Sequence, residues 1–362
     1  MLVVSLLHPV PANVSRGVFV DDHIQLLRDM GHDVRVVNPL PRMPRYAEAR
    51  RSTMMGVAKA PRQWKHRGET VLVPRFFALP EHPYPRLTAW SITGKASWIE
   101  KRLNGWRPDA IVCHTLWPAG LLAERLSQRW KVPWVGVVHG HDFDVGLQSK
   151  GIDAYIERLA ASCRALVCAS KRLATIASSL EQHAADIQCI PCVTSIDREW
   201  LRPVKPLKKK WKKEPIDILF PSDPRRPEKR HLLALQTGEE LERRGWMVGI
   251  TTLRHQPRNI VYDRMLTADV TLITSNREAG PLVARESLLC GTPVVSVDVG
   301  EVSDYLPEAW VKTSTASDLA DGIEHAFRHG WQDEHTVEET LAFANTTSVT
   351  EAWSELLARL VA

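Results

Sequence analysis

The sequence has no long apolar run and no signal for export. None of its apolar stretches approaches the roughly 18 residues that a helix needs to cross a bilayer. Residues 1–5 are apolar, but no basic region precedes them and no cleavage site follows, so we interpret them as the start of a β-strand. We therefore expect a cytoplasmic protein, with peripheral contact at the inner face of the membrane as the further location to test.

Cysteine is sparse and lacks the spacing of a zinc site. The six cysteines are scattered, mostly in apolar runs, as is typical of reduced cysteines in the cytoplasm. Cys189 and Cys192 form one C-x-x-C pair, but a zinc site of this type needs a second pair and the sequence contains none. We therefore predict reduced cysteines and no metal site.

A large excess of charge of either sign is also missing. The formal net charge is +5 and the pI about 8.9, which suits an anionic substrate or an anionic membrane surface and alone gives no reason to expect nucleic acid. Hydrophobic residues make up 44% of the chain and charged residues 25%, as in an ordinary globular protein. The 362 residues are enough for two domains.

The beginning of the chain lacks the Gly-x-Gly-x-x-Gly fingerprint of dinucleotide-binding folds. A strand over residues 1–7, a loop that ends at Gly17, a helix over residues 18–30 and a strand over residues 32–37 predict a βαβ start. Without the fingerprint, a nicotinamide-dependent dehydrogenase is disfavoured, and we expect no cofactor.

The most informative stretch of the chain is residues 270–300. A short β-branched run predicts a strand, and a turn at Gly280 leads into a helix that begins at Pro281 and ends near Gly291, before a second strand. Proline is favoured at the first helical position because its missing N–H has no acceptor there. A free helix N-terminus of this kind is suited to bind an anion.

Two carboxylates flank this helix N-terminus, Glu278 in the turn and Glu286 in the helix. Carboxylates repel a phosphate, but they can accept hydrogen bonds from hydroxyls at either end of it, as a carboxylate does from a ribose. The spacing is consistent with a ligand that has a sugar, a diphosphate and a ribose in a row. The alternative is that Glu278 is an exposed loop residue and Glu286 a solvated helix residue.

This stretch resembles the Glu-x7-Glu signature of the family-4 retaining glycosyltransferases, which have the GT-B fold. Beyond the two glutamates, the likeness extends to Ser275 and to residues 280–283, 286–288, 290–295 and 298–300. The resemblance implies an α/β protein in which two Rossmann-like domains face a deep interdomain cleft and a C-terminal helix crosses back to the N-terminal domain.

The resemblance also implies roles for individual residues. Glu278 would contact hydroxyls of the donor sugar, and Glu286 would contact the ribose of the nucleotide. The diphosphate would be held by the backbone at the start of the helix, at Gly280, Pro281, Leu282 and Val283.

A basic loop follows the first strand of the second half, over residues 221–231. In the family that it resembles, an arginine and a lysine in this loop neutralise the departing diphosphate, and Lys229 matches the lysine. The arginine would lie about two positions before Arg226, where this chain has Asp223 and Pro224. Arg225 or Arg226 would therefore take that role, and the alternative is a solvated basic loop.

In the first half, the resemblance assigns roles to a histidine and a glycine. His139 follows a predicted buried strand and matches the family's histidine beside the donor sugar, with His141 as the nearby alternative. Gly17 matches a glycine whose loop lets the backbone approach the donor phosphates; the alternative is that it merely serves the turn. Asp142 and Asp144 form an Asp-x-Asp pair, which binds metal in another glycosyltransferase architecture and which we interpret here as a coincidence.

Two basic segments complete the sequence pattern. Residues 41–68 interleave basic side chains with apolar ones, which predicts a contact with an anionic membrane, a grip on an anionic acceptor, or a solvated helix and loop. A second basic segment, residues 201–214, is rich in lysine and proline, which predicts a linker. The predicted domains are 1–201 with the helix 346–362 packed back on it, the linker 202–215, and the donor domain 216–345.

These observations predict a metal-independent, retaining glycosyltransferase (EC 2.4) that moves a sugar from a UDP- or GDP-sugar to an acceptor hydroxyl in glycan or glycoconjugate synthesis. The acceptor class stays open among lipid-linked glycan, polysaccharide, small molecule and protein. Within the family, the proline-rich opening and the loop after residue 220 are weakly closest to the teichuronic-acid-type subgroup. The two rival functions are a sugar-nucleotide epimerase with the same fold and a non-catalytic protein that binds polyanions or membranes.

Overall fold

The structure is a computed structural model that describes the chain except for residues 49–53, 80–82, 185, 194–195, 197–199, 203–213, 255, 330–345 and 362. It divides into two compact units. The N-terminal unit contains Met1–Val193 together with Val349–Ala362, and the C-terminal unit contains Thr194–Ser348. The predicted linker at 202–215 lies almost entirely outside the described residues and stays a prediction.

The N-terminal unit contains an eight-stranded sheet and a separate pair of short strands. Its strands are β1 (Leu2–Ser5), β2 (Arg35–Val37), β3 (Leu40–Pro41), β4 (Gln63–His66), β5 (Glu69–Leu72), β6 (Arg75–Phe76), β7 (Ile111–His114), β8 (Trp134–Val138), β9 (Ala165–Cys168) and β10 (Ile187–Cys189). The order is β10-β9-β8-β7-β1-β2-β5-β4, and β3 pairs with β6. All pairs are parallel except the antiparallel pair β4 and β5.

The helices of this unit connect the parallel strands. They are α1 (Val18–Asp29), α2 (Arg45–Glu48), α3 (Pro85–Thr93), α4 (Ala96–Leu103), α5 (Ala119–Trp130), α6 (Asp153–Ser162) and α7 (Lys171–Ser179), with a π-helical turn at Asp142–Gly146. Every residue of β1 and β8 is buried, as expected for apolar strands of a parallel sheet covered on both faces.

The C-terminal helix α12 (Thr346–Val361) packs on the N-terminal unit. Its apolar stripe places Trp353, Leu356 and Leu357 in the same hydrophobic core as Val3 and Val20, and all five side chains are buried. The chain therefore returns to its first unit, as the resemblance to GT-B proteins implies.

The C-terminal unit contains a five-stranded parallel sheet in the order β12-β11-β13-β14-β15. Its strands are β11 (Ile216–Phe220), β12 (Val248–Thr252), β13 (Val270–Ile273), β14 (Val294–Val297) and β15 (Val311–Lys312). Its helices are α8 (His231–Arg243), α9 (Arg258–Thr267), α10 (Leu282–Leu289) and α11 (Ala316–His329). The sequence predicted that the helix begins at Pro281. In the structure Pro281 is the N-cap, and α10 begins one residue later, at Leu282.

The basic segment 41–68 differs from the solvated helix and loop that we considered. Its last strand is β4, which pairs antiparallel with the following strand β5. Most of its described apolar side chains face inward. Val57 is fully buried, and Met43, Met54 and Trp64 pack against the core, whereas Tyr46 is exposed. These inward-facing side chains cannot serve as membrane anchors without leaving the core. Arg50 and Arg51 of the same segment lie outside the described residues.

Among the described residues, no helix is both long enough and apolar enough to cross a membrane.

Candidate active site

Two loops of the C-terminal unit meet at the carboxyl ends of β11 and β13. The hydroxyl of Thr274 donates to the carbonyl oxygens of Lys229 at 2.7 Å and Arg230 at 3.1 Å. The backbone N–H of Asn276 donates to the carbonyl oxygen of Glu228 at 3.0 Å. The basic loop and the Glu-x7-Glu loop are therefore held side by side, at the edge where open α/β sheets bind ligands.

The meeting of these loops brings two predicted site residues into direct contact. The ammonium group of Lys229 forms an ion pair with Oε1 of Glu278, and the hydroxyl of Ser275 donates to the same oxygen at 2.8 Å. The two charged side chains are only 11% and 16% exposed. Lys229 and Glu278 therefore orient each other, and a ligand that enters here meets one positive and one negative group side by side.

The two candidate arginines of the basic loop, Arg225 and Arg226, each have a carboxylate partner within the loop. Arg225 forms two hydrogen bonds to Asp223, at 2.8 and 3.1 Å, and this pairing lowers the pKa of Asp223 to about 2. Arg226 binds Glu228 at 2.7 Å. Which of the two contacts a diphosphate stays open, because a ligand would have to share or replace a carboxylate in either case.

The N-terminus of α10 is shaped by a buried ion pair. Arg285 on α10 binds Glu301, which follows β14, and both side chains are buried. A methyl group added at Gly280 would lie only 2.6 Å from Oε1 of Glu301, so a larger residue there would have to move the carboxylate that binds Arg285. The first N–H groups of α10, at Leu282 and Val283, have no acceptor within the helix and are suited to bind an anion.

The second glutamate of the signature has partners on α9. Arg258 donates to Oε1 of Glu286 at 3.0 Å, and the hydroxyl of Tyr262 lies 3.5 Å from the same atom. Glu286 is therefore neither free nor fully solvated, as its side chain is only 12% exposed. A ribose that binds Glu286 would also lie near the guanidinium of Arg258. The sequence analysis did not identify Arg258 as a site residue.

In the N-terminal unit, Gly17 lies where only a glycine fits. Its φ is +63°, and an added Cβ would lie 2.5 Å from the carbonyl carbon of Leu7. The neighbouring Arg16 is buried and donates to the carbonyl oxygens of Leu6 at 2.5 Å and His8 at 2.8 Å. The turn is therefore tight and is held together by Arg16. This alone explains a glycine at position 17, and the predicted contact of Gly17 with the donor stays a prediction.

His139 belongs to a chain of hydrogen-bonded side chains in the N-terminal unit. Its Nε2 lies 2.8 Å from Nδ1 of His114, whose Nε2 lies 3.0 Å from Nδ1 of His23. Its Nδ1 lies 3.4 Å from Sγ of Cys192. Because each neutral imidazole has one N–H and one lone pair, all three rings must donate in the same direction along the chain.

This chain limits what His139 can do. Both of its ring nitrogens have protein partners, and the ring of Phe19 packs edge-on against it at 4.7 Å between centroids. A sugar hydroxyl could gain a ring nitrogen of His139 most easily by displacing the thiol of Cys192, since sulfur is the weaker hydrogen-bond partner. The predicted sugar contact of His139 therefore stays a prediction that requires this exchange.

The histidine chain predicts that stability falls in acid. Burial lowers the pKa of His23 from 6.5 to about 3, and its ring packs against Trp353 of α12 with 4.2 Å between the ring centroids. The unfolded chain binds a proton at this histidine near pH 6.5 and the folded chain does not, so stability is lost as the pH falls below 6.5. We expect this residue alone to contribute a loss on the order of 3 kcal/mol by about pH 4.5.

The measurement is the unfolding free energy in urea between pH 7 and pH 4.5. His23→Gln, which does not titrate in this range, should make the pH dependence shallower, whereas His183→Gln at an exposed histidine should not change it. Equal pH dependence in the wild type and His23→Gln would contradict the assignment.

Asp142 and Asp144 have separate structural partners. Asp142 is buried and accepts backbone N–H groups of Leu116 and Trp117, both at 3.0 Å, just before α5. Asp144 binds Arg172 at 2.8 and 3.0 Å. The two carboxylates therefore serve the local fold, which is consistent with the interpretation of Asp-x-Asp as a coincidence.

Two family descriptions match the chain. Residues 17–192 match the family described as glycosyl transferase 4-like domain, and residues 239–340 match the family described as glycosyl transferases group 1. Together the two matches span most of the chain, one in each unit.

Individual proteins are similar over nearly the full length. TuaC of Bacillus subtilis (strain 168), a glycosyltransferase provisionally assigned to teichuronic acid biosynthesis, is 23% identical over 89% of this chain and 88% of its own. The sucrose-phosphate synthase of Thermosynechococcus elongatus superposes with a TM-score of 0.69 at 17% identity, over 99% of this chain and 98% of its own. Anabaena HepE, solved with UDP and glucose, superposes with a TM-score of 0.64 at 15% identity, over 99% and 100% of the two chains.

The two α/β units, with parallel sheets and a returning C-terminal helix, define a GT-B protein. The two family matches show its chemistry, the transfer of a glycosyl group from a nucleotide sugar. The chain belongs to the group 1 glycosyltransferases, also called family 4, with a weak likeness to the teichuronic-acid subgroup.

Proposed function

We propose that this enzyme transfers the sugar of a UDP- or GDP-sugar to an acceptor hydroxyl with retention of the anomeric configuration and without a metal ion at the diphosphate. The contact of Lys229 with Glu278, immediately before the N-terminus of α10, carries this proposal. This contact brings a cation and a carboxylate close to the first backbone N–H groups of α10. A diphosphate could bind the cation and the N–H groups, and the adjoining sugar could bind the carboxylate. The complex of HepE with UDP and glucose supports a nucleotide donor of the same class.

Lys229, Arg226 and the N-terminus of α10 would stabilise the negative charge that grows on the departing diphosphate. Donors that are already in position, such as these, act without reorganisation at the moment of reaction. In this proposal they supply the neutralisation that a divalent cation supplies in other enzymes. Arg225 would contribute where the ligand displaces it from Asp223.

Glu278 would accept hydrogen bonds from the sugar hydroxyls, and Glu286, with Arg258 beside it, would bind the ribose. Both contacts position the anomeric carbon for attack by the acceptor. His139 would contact the sugar after exchange of its Cys192 partner, and Gly17 would let the backbone of its loop approach the donor.

We place the enzyme in the cytoplasm, in glycan or glycoconjugate synthesis. The likeness to TuaC supports a polysaccharide or lipid-linked acceptor. A peripheral contact of residues 41–68 with an anionic membrane is a weaker part of the proposal. It would rest on basic side chains and on the exposed Tyr46, because Val57, Met54 and Trp64 face the core.

The test is a panel of UDP- and GDP-sugars supplied with a host extract as acceptor, with the release of nucleoside diphosphate as the signal. We expect turnover with a narrow set of donors, an unchanged rate after addition of a chelator, and an α-linked product from an α-linked donor by NMR. A β-linked product would overturn retention, and a rate restored only by Mg²⁺ or Mn²⁺ would overturn metal independence. Conversion of the sugar nucleotide without release of diphosphate would instead identify an epimerase.

A further inference from the structure

A second cluster of chemically active side chains lies in the N-terminal unit, beside the turn at Gly17, and none of its three residues is assigned to the donor. His8 follows β1, Asp21 lies in the first turn of α1, and His66 ends β4. Their side chains are 1%, 5% and 17% exposed. Three elements that are distant in the sequence therefore bring two imidazoles and one carboxylate together in a largely buried place.

The orientation of His8 presents a lone pair to this cluster. Its Nδ1 lies 3.0 Å from the carbonyl oxygen of Pro9, which can only accept, so Nδ1 carries the proton. Its Nε2 is then unprotonated and lies 3.9 Å from Oδ1 of Asp21. Two acceptors that face each other at this distance repel unless a cation lies between them. A ring nitrogen fixed by a backbone carbonyl is also the usual arrangement around a metal-binding histidine.

The remaining distances are close to those of a metal site. Nε2 of His66 lies 3.0 Å from Oδ1 of Asp21, and one ligand atom from each of the three side chains lies within 4.8 Å of the other two. A tetrahedral ion with bonds of about 2.0–2.1 Å separates its ligand atoms by about 3.4 Å. The two distances to Oδ1, 3.0 and 3.9 Å, bracket that value, and the ligand nitrogens of the two imidazoles lie within 4.8 Å of each other.

The other oxygen of Asp21 is held by Arg67, whose Nε lies 3.0 Å from Oδ2. A hydrogen bond to the second oxygen of a ligating carboxylate is common at metal sites and orients the ligand. The guanidinium is also a positive charge near the proposed ion, so it weakens binding by repulsion. Because the Arg67 side chain is half exposed, it can be changed without opening the core.

We propose that His8, Asp21 and His66 bind a divalent transition-metal ion, with zinc as the best match, and leave its fourth position to water or to an oxygen of a ligand. Two imidazoles and one carboxylate form a donor set that zinc prefers. The ion would fasten the β4–β5 hairpin to α1 and to the loop after β1. Within the described residues, this is the one group of three such side chains with metal-binding proximity.

The test uses the full chain, stripped with a chelator, dialysed and titrated with ZnCl₂ by calorimetry. We expect one zinc per chain at micromolar Kd or tighter. In the structure Nε2 of His66 donates to Asp21, so zinc binding at this nitrogen requires the tautomer of His66 that carries its proton on Nδ1. Co²⁺ in place of zinc should give the intense visible absorption of a four-coordinate site.

His66→Ala should lower zinc affinity at least about 100-fold, since it removes one of three ligands. It lies at the edge of the cluster and is the ligand variant least disruptive to the fold. His183→Ala, at an exposed histidine, is the matched control and should bind zinc as the wild type does. Equal affinity in the wild type and His66→Ala, or no zinc bound by the wild type, would overturn the proposal.

Arg67→Ala separates a metal site from a purely structural ion-pair cluster. If Asp21 holds a metal, Arg67→Ala should change the zinc affinity, because it removes both the hydrogen bond that orients Asp21 and a repulsive positive charge. If the cluster exists only to pair Asp21 with cations, Arg67→Ala should destabilise the N-terminal unit and leave zinc without effect on its melting temperature. The latter result would count against the metal site.

Discussion

Replacement of Lys229 by alanine is expected to lower the rate of sugar transfer by about 10²–10³-fold, the usual effect of removing one preorganised donor from a site of developing charge. Lys229 is largely buried and lies against Glu278, so water cannot easily take its place. We also expect weaker binding of the nucleoside diphosphate product, because the lysine would contact the diphosphate in the product complex as well. Steady-state kinetics and calorimetry with UDP or GDP measure the two effects.

Replacement of Glu278 by glutamine should produce a different pattern. The rate of transfer should fall by a similar factor, since the carboxylate would position the sugar hydroxyls. The affinity for the nucleoside diphosphate should be unchanged or higher, because a negative charge near the diphosphate is removed. The two variants therefore share a loss of rate but differ in the direction of the change in product affinity.

The double variant tests whether the pair acts as a unit. Because Lys229 and Glu278 are in contact, the effects of the two substitutions should not add, and the double variant should be little slower than the slower single variant. Arg243→Ala, which breaks an exposed ion pair with Glu240 in the same unit, is the control and should keep the wild-type rate. Rates within a few-fold of wild type in both single variants would rule out this site as the place of reaction.

The donor-side motif was predictable because its physical requirements are local. A turn at Gly280, a proline before α10 and two carboxylates at fixed spacing can all be read from one short stretch. The strand before the basic loop, β11, was predictable for the same reason, as an isolated apolar run between polar segments.

The partners of the predicted residues were not predictable, because they depend on long-range contacts. Nothing in the sequence near His139 indicates that His114, 25 residues before it, and Cys192, 53 residues after it, are its hydrogen-bond partners. The pairing of Arg226 with Glu228 was predictable, since they are two positions apart in the sequence and their charges are opposite. The sequence reasoning considered only the ligand as a partner for these cations.

The segment 41–68 shows a further limit. Its composition suggested a surface that meets a membrane, because basic and apolar residues alternate without a clear period. The structure instead turns Val57 and Trp64 toward the core and forms a hairpin with β5. Composition alone does not reveal which apolar side chains a sheet will cover, and the position of a strand at the edge of a sheet is a property of the whole fold.

Replacement of Arg285 by methionine is expected to destabilise the C-terminal unit by about 3–5 kcal/mol. Arg285 and Glu301 are only 4% and 7% exposed, so the substitution leaves a charged carboxylate in the interior. Glu301 also packs against Gly280, and its rearrangement should disturb the turn before α10. We therefore expect a lower unfolding free energy in urea together with weaker donor binding, although neither residue is assigned to the ligand.

The double variant Arg285→Met/Glu301→Met distinguishes the cost of an unpaired charge from the value of the ion pair itself. Apolar replacement of both partners of a buried pair is often close to neutral, so the double variant should recover most of the stability that Arg285→Met loses. Arg158→Ala breaks an ion pair with Glu124. Because the Arg158 side chain is half exposed, this substitution should change stability little. If the double variant is as unstable as the single one, the ion pair itself stabilises the unit, and the explanation of the stability loss by a buried charge is wrong.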